Sequence, residues 1–167
     1  MTLSMYQASV PVLARALSNL SHVMKKGAEH AKAKGVSDEI LLQTRLTPDM
    51  FSLLRQVQTA TDMAKGGVAR LAGVEPMKVE DNETTLEQVL VRLDRVIEYI
   101  NSFKPEQIDG SETRAITLKM HAEQHFDGQT YLLQYVLPNV FFHCTTAYDI
   151  LRQIGTDIGK KDFLGKV

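Results

Sequence analysis

Apolar residues recur at helical spacing through four stretches of this chain. In the first, roughly Leu3 to Lys34, positions such as Leu13, Leu17, Leu20 and Met24 fall on one face at about 100° per residue. Pro11 lies near its start and is expected to end or kink a first turn, and Gly35 suits a helix stop. The second stretch opens at Thr47-Pro48-Asp49: a cap, a preorganised first position and an acid suited to the helix start. Its stripe runs from Met50 through Leu53, Val57, Ala64 and Leu71 to a stop at Gly73. The third opens at Thr84 with Glu87 three residues on, a capping-box spacing, and carries Leu86, Val89, Leu93, Ile97 and Ile100 ahead of Pro105.

Between Gly110 and Gly128 the period becomes two. Ile116, Leu118 and Met120 alternate with Thr117, Lys119 and His121, which predicts a long connection with room for a short strand pair. The fourth helical stretch begins near Asp127-Gly128, with Asp127 as a cap. It is expected to bend at Pro138 and continue to Gly155. The tail after Gly155 is mixed and is expected to dock without forming an element. Four amphipathic helices with a long connection before the last describe one all-α domain over residues 1–167, a four-helix bundle with a crossover.

The last helix raises the functional question. Val136, Val140, His143, Ala147, Ile150, Leu151 and Ile154 share one face, so His143 stands in the apolar stripe. An imidazole aimed at a core needs a polar partner, a metal or a substrate. Two readings are open: a buried histidine hydrogen-bonded to a neighbouring helix, or a metal ligand or base in the bundle interior. Gln56 and Gln58 flank the second helix's stripe at Val57 and can edge a pocket or bond His143. His121 and His125 are four apart, a chelating spacing on a helix, but the alternation before them predicts a loop or strand edge.

The other candidates read blandly. Asp49 reads as a dipole partner, and Cys144 projects away from His143 and reads as an apolar filler. Phe141 and Tyr148 project off the His143 stripe, which leaves burial within the chain or a dimer interface open. His22 and His30 are expected in solvent. Arg45, Arg55 and Arg70 could hold an anionic ligand but read more readily as surface ion pairs, and Gly66-Gly67 reads as a close helix contact. No nucleophile with a matching base and no phosphate-cradling loop is visible.

Composition narrows the classes. The 167 residues carry a formal net charge of -1, with 44% hydrophobic and 23% charged residues. No broad basic field points to nucleic acid, and no run suits a membrane span. A single cysteine and the lack of a signal-like start lead to a cytoplasmic expectation.

The run LPNVFFHCTTAYDILRQIG followed by IGKKDFLG resembles the C-terminal signature of an uncharacterised bacterial domain-of-unknown-function family. That family lies within the DinB/YfiT-like superfamily of metalloenzyme-like proteins. SMYQASVPVLARALSNLSHVMKKGAEHAKAKG and RLTPDMFSLLRQVQTATDMAKGGVARLAG resemble its first and second helices. The resemblance implies an up-down-down-up four-helix bundle. It also implies a divalent metal, zinc or nickel, held by three histidines, and thiol-dependent transfer chemistry. The implied ligands match in part: His143 stands where the first last-helix histidine belongs, Ala147 where its partner belongs, and Gln56 to Gln58 where the second-helix histidine belongs.

The reading that follows is a DinB-like small-ligand-binding or stress-associated protein. It would be homodimeric, with an interior pocket at His143, Gln58, Gln56 and Ala147 and a degraded metal site. The alternative is a metal-dependent thiol transferase or hydrolase with a rearranged site of His143, His125 and His121. The residues alone assign no reaction.

Overall fold

The computed structural model describes residues 3–119 and 123–166. Helix α1 spans Met5–Ala33, and Ser4 and Gln7 form a reciprocal capping box at its start. Pro11 lies inside α1 and does not interrupt it. The bond it forfeits would go to the carbonyl of Gln7 on the exposed side, where water substitutes. A short helix the periodicity did not suggest, α2 (Asp38–Gln43), follows behind the cap of Ser37.

Helix α3 spans Leu53–Ala72, so it begins later than the Thr47 cap predicts. Thr47 Oγ1 donates instead to Asp49 Oδ1 at 2.7 Å, and Met50 N–H closes a turn on the Thr47 carbonyl. Arg45 holds the Met50 carbonyl, and Arg45 pairs with Ser52 as an isolated bridge. The Thr-Pro-Asp signal therefore builds a turn before the helix. Gly73, at φ +73°, ends α3 as predicted: Val74 N–H reaches back to the Ala69 carbonyl. Gly35 and Gly155 close their helices the same way.

The cap of helix α4 (Leu86–Asn101) falls one residue later than expected, at Thr85, which forms the capping box with Gln88. Pro105 opens a further short helix, α5 (Pro105–Ile108). The period-two stretch forms an antiparallel pair, β1 (Ile116–Lys119) and β2 (Glu123–Phe126), with Thr117 opposite His125. Asp127 caps α6 (Gly128–Thr130) through Thr130 N–H at 2.8 Å, as expected.

The expected break at Pro138 takes another form. A π-helical stretch, Tyr131–Val136, leads directly into α7 (Leu137–Gln153), with Pro138 in the first turn of α7. The looser π turn absorbs the proline, which has no N–H to give to the preceding turn. The tail forms an element after all: α8 (Lys160–Leu164) lies against α1. Asp162 meets His22 and Lys26, and Arg15 donates to the Leu164 carbonyl at 2.8 Å.

The long helices α1, α3, α4 and α7 enclose one apolar core. Gln56 faces His143 and Gly67 faces Val136, so α3 and α7 are antiparallel. Gly27 faces Leu151 and His30 bonds the Ile154 carbonyl, so α1 and α7 are parallel. The start of α4 is tied to α2 through Asp38, and Asp109 just beyond α5 bonds Tyr6 at the start of α1. The order is up-down-down-up. Its crossover is the connection between α3 and α4, which must run back along the bundle. Local pattern alone did not place that crossover, whereas the up-down-down-up order implied by the resemblance requires it. No helix among the described residues is long and apolar enough to cross a membrane.

Candidate functional site

Gln56 sits in the first turns of α3, and His143 sits opposite it on α7. Of the roles the sequence left open for Gln56 (pocket edge, partner of His143 or plain boundary position), the structure shows the hydrogen bond: His143 Nδ1 to Gln56 Oε1 at 2.7 Å. Both residues are buried, at 8% and 1% exposure. The amide is oriented from its other end, where Gln56 Nε2 donates to the Phe51 carbonyl at 3.2 Å. Its oxygen can therefore only accept, and the proton between the two side chains belongs to His143 Nδ1. Burial, and secondarily the charge of Arg55, lowers the His143 pKa and favours the neutral ring. A neutral ring protonated at Nδ1 presents a lone pair at Nε2, which has no hydrogen-bond partner among the described residues. The Phe142 ring stands edge-on to the imidazole at 5.3 Å.

Gln58 turns to another system. Its Nε2 donates to Glu83 Oε2 at 2.9 Å, and its Oε1 accepts from Arg55. Glu83 also receives Arg92 Nη1 at 2.9 Å. Arg92 further donates through Nε to Thr61 Oγ1 at 2.7 Å and through Nη2 to Asp62 Oδ1 at 2.8 Å. Asp81 lies 3.0 Å from the same guanidinium and also pairs with Arg55. This cluster fastens the crossover to α3 and α4. Sequence reading passed over Arg92, although a signal was present: it lies between Val89 and Val96, at helical spacing within the apolar stripe of α4. A cation there must be paired.

The residues at His143 do not fit the three-histidine metal site that the resemblance implies. One imidazole is present. Ala147, fully buried one turn along α7, offers a methyl, and the glutamine on α3 is already bonded to the imidazole. An amide oxygen is a poor substitute for imidazole on zinc or nickel. His125 is an exposed strand residue as expected, bonded to Thr117 Oγ1 at 3.1 Å. Its hairpin packs at the far end of α3 from Gln56, beside Arg70 and Gly73. His121 lies outside the described residues. Among the described residues, no three His, Cys, Asp or Glu side chains are placed to hold a metal ion.

The remaining candidates settle as follows. Cys144 is buried, and burial pushes its thiol pKa up to about 12. It lines an apolar cavity of about 320 Å³ between α1, α7 and α8, together with Phe141 and Phe163. Tyr148 packs edge-on against Phe163, so the tail covers part of the second aromatic face of α7. His22 is half-exposed as expected but engaged by Asp162, and His30 bonds the Ile154 carbonyl. Asp49 is an exposed turn residue rather than a helix-start acid. Arg55 forms the surface ion pair expected of it, whereas Arg45 holds a carbonyl and Arg70 holds the Tyr131 hydroxyl at 3.2 Å. Gly67 makes the predicted close helix contact, since a Cβ there would stand 2.6 Å from Val136 Cγ1.

The chain is similar to a solved structure, a DinB family member protein from Shewanella denitrificans. Identity is 36%, the match covers 97% of this chain and 92% of that one, and the TM-score is 0.89. No curated protein matches. Residues 5–164 match the family described as Domain of unknown function (DUF1993), a span that takes in every helix from α1 to α8. With its bundle order and this near-complete overlap, the chain belongs to the DUF1993 family of DinB-like proteins.

Proposed function

We propose that this protein binds a small ligand at the His143 end of α3 and has given up the superfamily's metal chemistry. The observation that carries the reading is the chain of bonds from the Phe51 carbonyl through the Gln56 amide to His143 Nδ1. It fixes the tautomer and leaves Nε2 as an acceptor. Arg55 supplies a cation nearby, itself placed over the Phe51 ring at 5.9 Å. Phe51 and Phe142 are both about half exposed, at 50% and 55%. A ligand suited to this setting carries a hydrogen-bond donor for Nε2, a negative group for Arg55 Nε and Nη2, which Asp81 and Gln58 leave unused, and an apolar body for the rings. Ala147 lies one turn along α7 from His143, and Gln58 belongs to the Arg92 cluster.

The test is a ligand-observed NMR screen of small carboxylic acids against the parent, His143→Ala and Arg55→Ala. Hits that bind the parent and are lost in both variants support the reading, and hits indifferent to both reject it. Elemental analysis of untagged protein offered zinc, nickel and manganese is expected to find no stoichiometric metal in the parent or in His143→Ala. One observation favours a second reading. A histidine whose Nδ1–H is held by a carbonyl and whose Nε2 is open is oriented as metal-bound histidines are. Near-stoichiometric metal in the parent, lost in His143→Ala, would establish that reading instead.

A further inference from the structure

At the opposite end of α3 lies a groove of about 660 Å³, within the range of small-molecule sites. Its walls are the last turn of α3, the chain just beyond Gly73, strand β1 and the π-helical stretch. Three cations line it: Arg70, Arg114 and Lys119. Glu75 is the one carboxylate among its described lining residues, and none of the three cations makes an ion pair among the described residues. The cations held inside the bundle, Arg92 and Lys65, by contrast meet carboxylates.

The two arginines are seated in a specific way. A Cβ on Gly66 would stand 2.5 Å from Arg70 Nη1, and one on Gly73 would run into Arg114 Nη1. Each guanidinium therefore lies over backbone that carries no side chain. Arg70 is held further by the Tyr131 hydroxyl at 3.2 Å. Tyr131 and Tyr135 stack at 5.8 Å with planes 18° apart, and Phe126 packs against both. Tyr131 is buried and Tyr135 half-buried, so Tyr135 presents the aromatic cluster to the groove.

A cation at a helix C-terminus is favourable by itself, which accounts for Arg114 near the end of α3. It does not account for three cations with one carboxylate in a ligand-sized cleft, with both forks lying over backbone that carries no side chain. Guanidinium forks match the oxygens of carboxylate and phosphate. We infer that this groove binds a small aromatic oxyanion, with Arg70 and Arg114 on the anionic group and the ring against Tyr135. The site is independent of His143. The groove is short and the chain carries a formal net charge of -1, so a single small anion fits it better than a nucleic acid strand.

The test is an amide NMR titration of the whole labelled protein at low ionic strength. Phenyl phosphate and benzoate are the probes, and inorganic phosphate and benzyl alcohol each carry one half of the chemistry. Expected are shifts at Gly73, Val74 and residues 114–118 for phenyl phosphate, benzoate or both, and the tighter probe identifies the anion. Arg114→Gln should weaken that probe about tenfold or more, the loss of a charge-assisted bond, with Arg114→Lys in between. Arg70→Gln should act the same way. Should that variant unfold for want of its tyrosine bond, the exposed Arg114 pair carries the test alone. Four results would overturn the inference: no shifts at millimolar probe, equal binding by Arg114→Gln, shifts centred on His143, or a single-stranded oligonucleotide binding more tightly than either probe.

Discussion

Gln56 and Gln58 are two residues apart on one helix, and they serve opposite kinds of polar site. Gln58 belongs to the Arg92 cluster, in which Nε, Nη1 and Nη2 of the guanidinium all have acceptors. Gln56 belongs to the His143 pair, in which one ring nitrogen is held and the other is left without a protein partner. Both are buried, so burial alone does not distinguish structure from function. Saturation does. A cation whose donors are all used holds a crossover in place and has little left to offer a ligand. A ring that is fixed through Nδ1 keeps an oriented acceptor at Nε2, which is not among the buried unpaired polar atoms of the described residues, and it can offer that acceptor to a ligand.

The sharpest way to break the contrast is Arg92→Ala. It would strand Glu83, itself nearly buried, beside Asp62 and Asp81 with their shared cation gone. Removing one partner of a buried ionic cluster costs about 3–5 kcal/mol, and denaturant unfolding should show a loss of that size. Gln56→Leu should cost less. It leaves one neutral N–H without an acceptor, which is worth about 1–3 kcal/mol, and the ring can relieve part of that by moving its proton to Nε2. Nitrogen-15 shifts of the imidazole would report that change of tautomer. Equal losses in the two variants would erase the distinction between a saturated and a half-used site.

A pH series is a gentler probe. Burial holds the His143 pKa below its ordinary 6.5. Between that value and the lower folded one, the unfolded chain takes up the proton more readily. Stability should therefore fall as pH drops through the region below about 6.5. His143→Gln should flatten this part of the curve and leave the more acidic part, where carboxylates such as Asp162 protonate, unchanged. Asp162 is held below the usual carboxylate range by Gly159 N–H, His22 and Lys26, so its contribution is lost only in stronger acid.

The legible parts of this molecule were those in which local signals and packing agree. The glycine stops at Gly35, Gly73 and Gly155 and the stripes of the long helices needed only local rules. The pairing of Gln56 with His143 was among the readings open to the sequence because His143 lies within one strong stripe and Gln56 beside another. Thr47-Pro48-Asp49 failed because the same three residues suit a turn as well as a cap. The choice was made by Arg45 reaching the Met50 carbonyl and by Leu53 N–H bonding the Thr44 carbonyl at 2.8 Å. The crossover was legible only through the family resemblance, whose up-down-down-up order requires it, and not in the local pattern. Nothing in residues 74–84 announces a direction, and the segment is placed by Arg92, a residue of the next helix. The groove at Arg70 and Arg114 depends on two residues far apart in sequence, each beside its own glycine, a coincidence only the folded chain reveals.

Cys144 supplies the smallest and most discriminating effect. It adjoins His143 in sequence yet faces the cavity beneath α8, and its thiol, pushed up to about 12, is unreactive while covered. If the tail is the cover, weakening its anchor should expose the thiol without much change in overall stability, because surface ion pairs contribute little. Asp162→Asn removes the carboxylate that His22 and Lys26 share. Alkylation by iodoacetamide should then run a few-fold faster than in the parent, with the unfolding midpoint nearly unmoved. An unchanged rate would mean that the packing of α1 on α7 guards the thiol. Cys144 would then belong with Arg92 among the groups that only hold the bundle together. A faster rate would show that α7 carries two accessible chemistries on adjacent residues: one fixed by Gln56, the other gated by the tail.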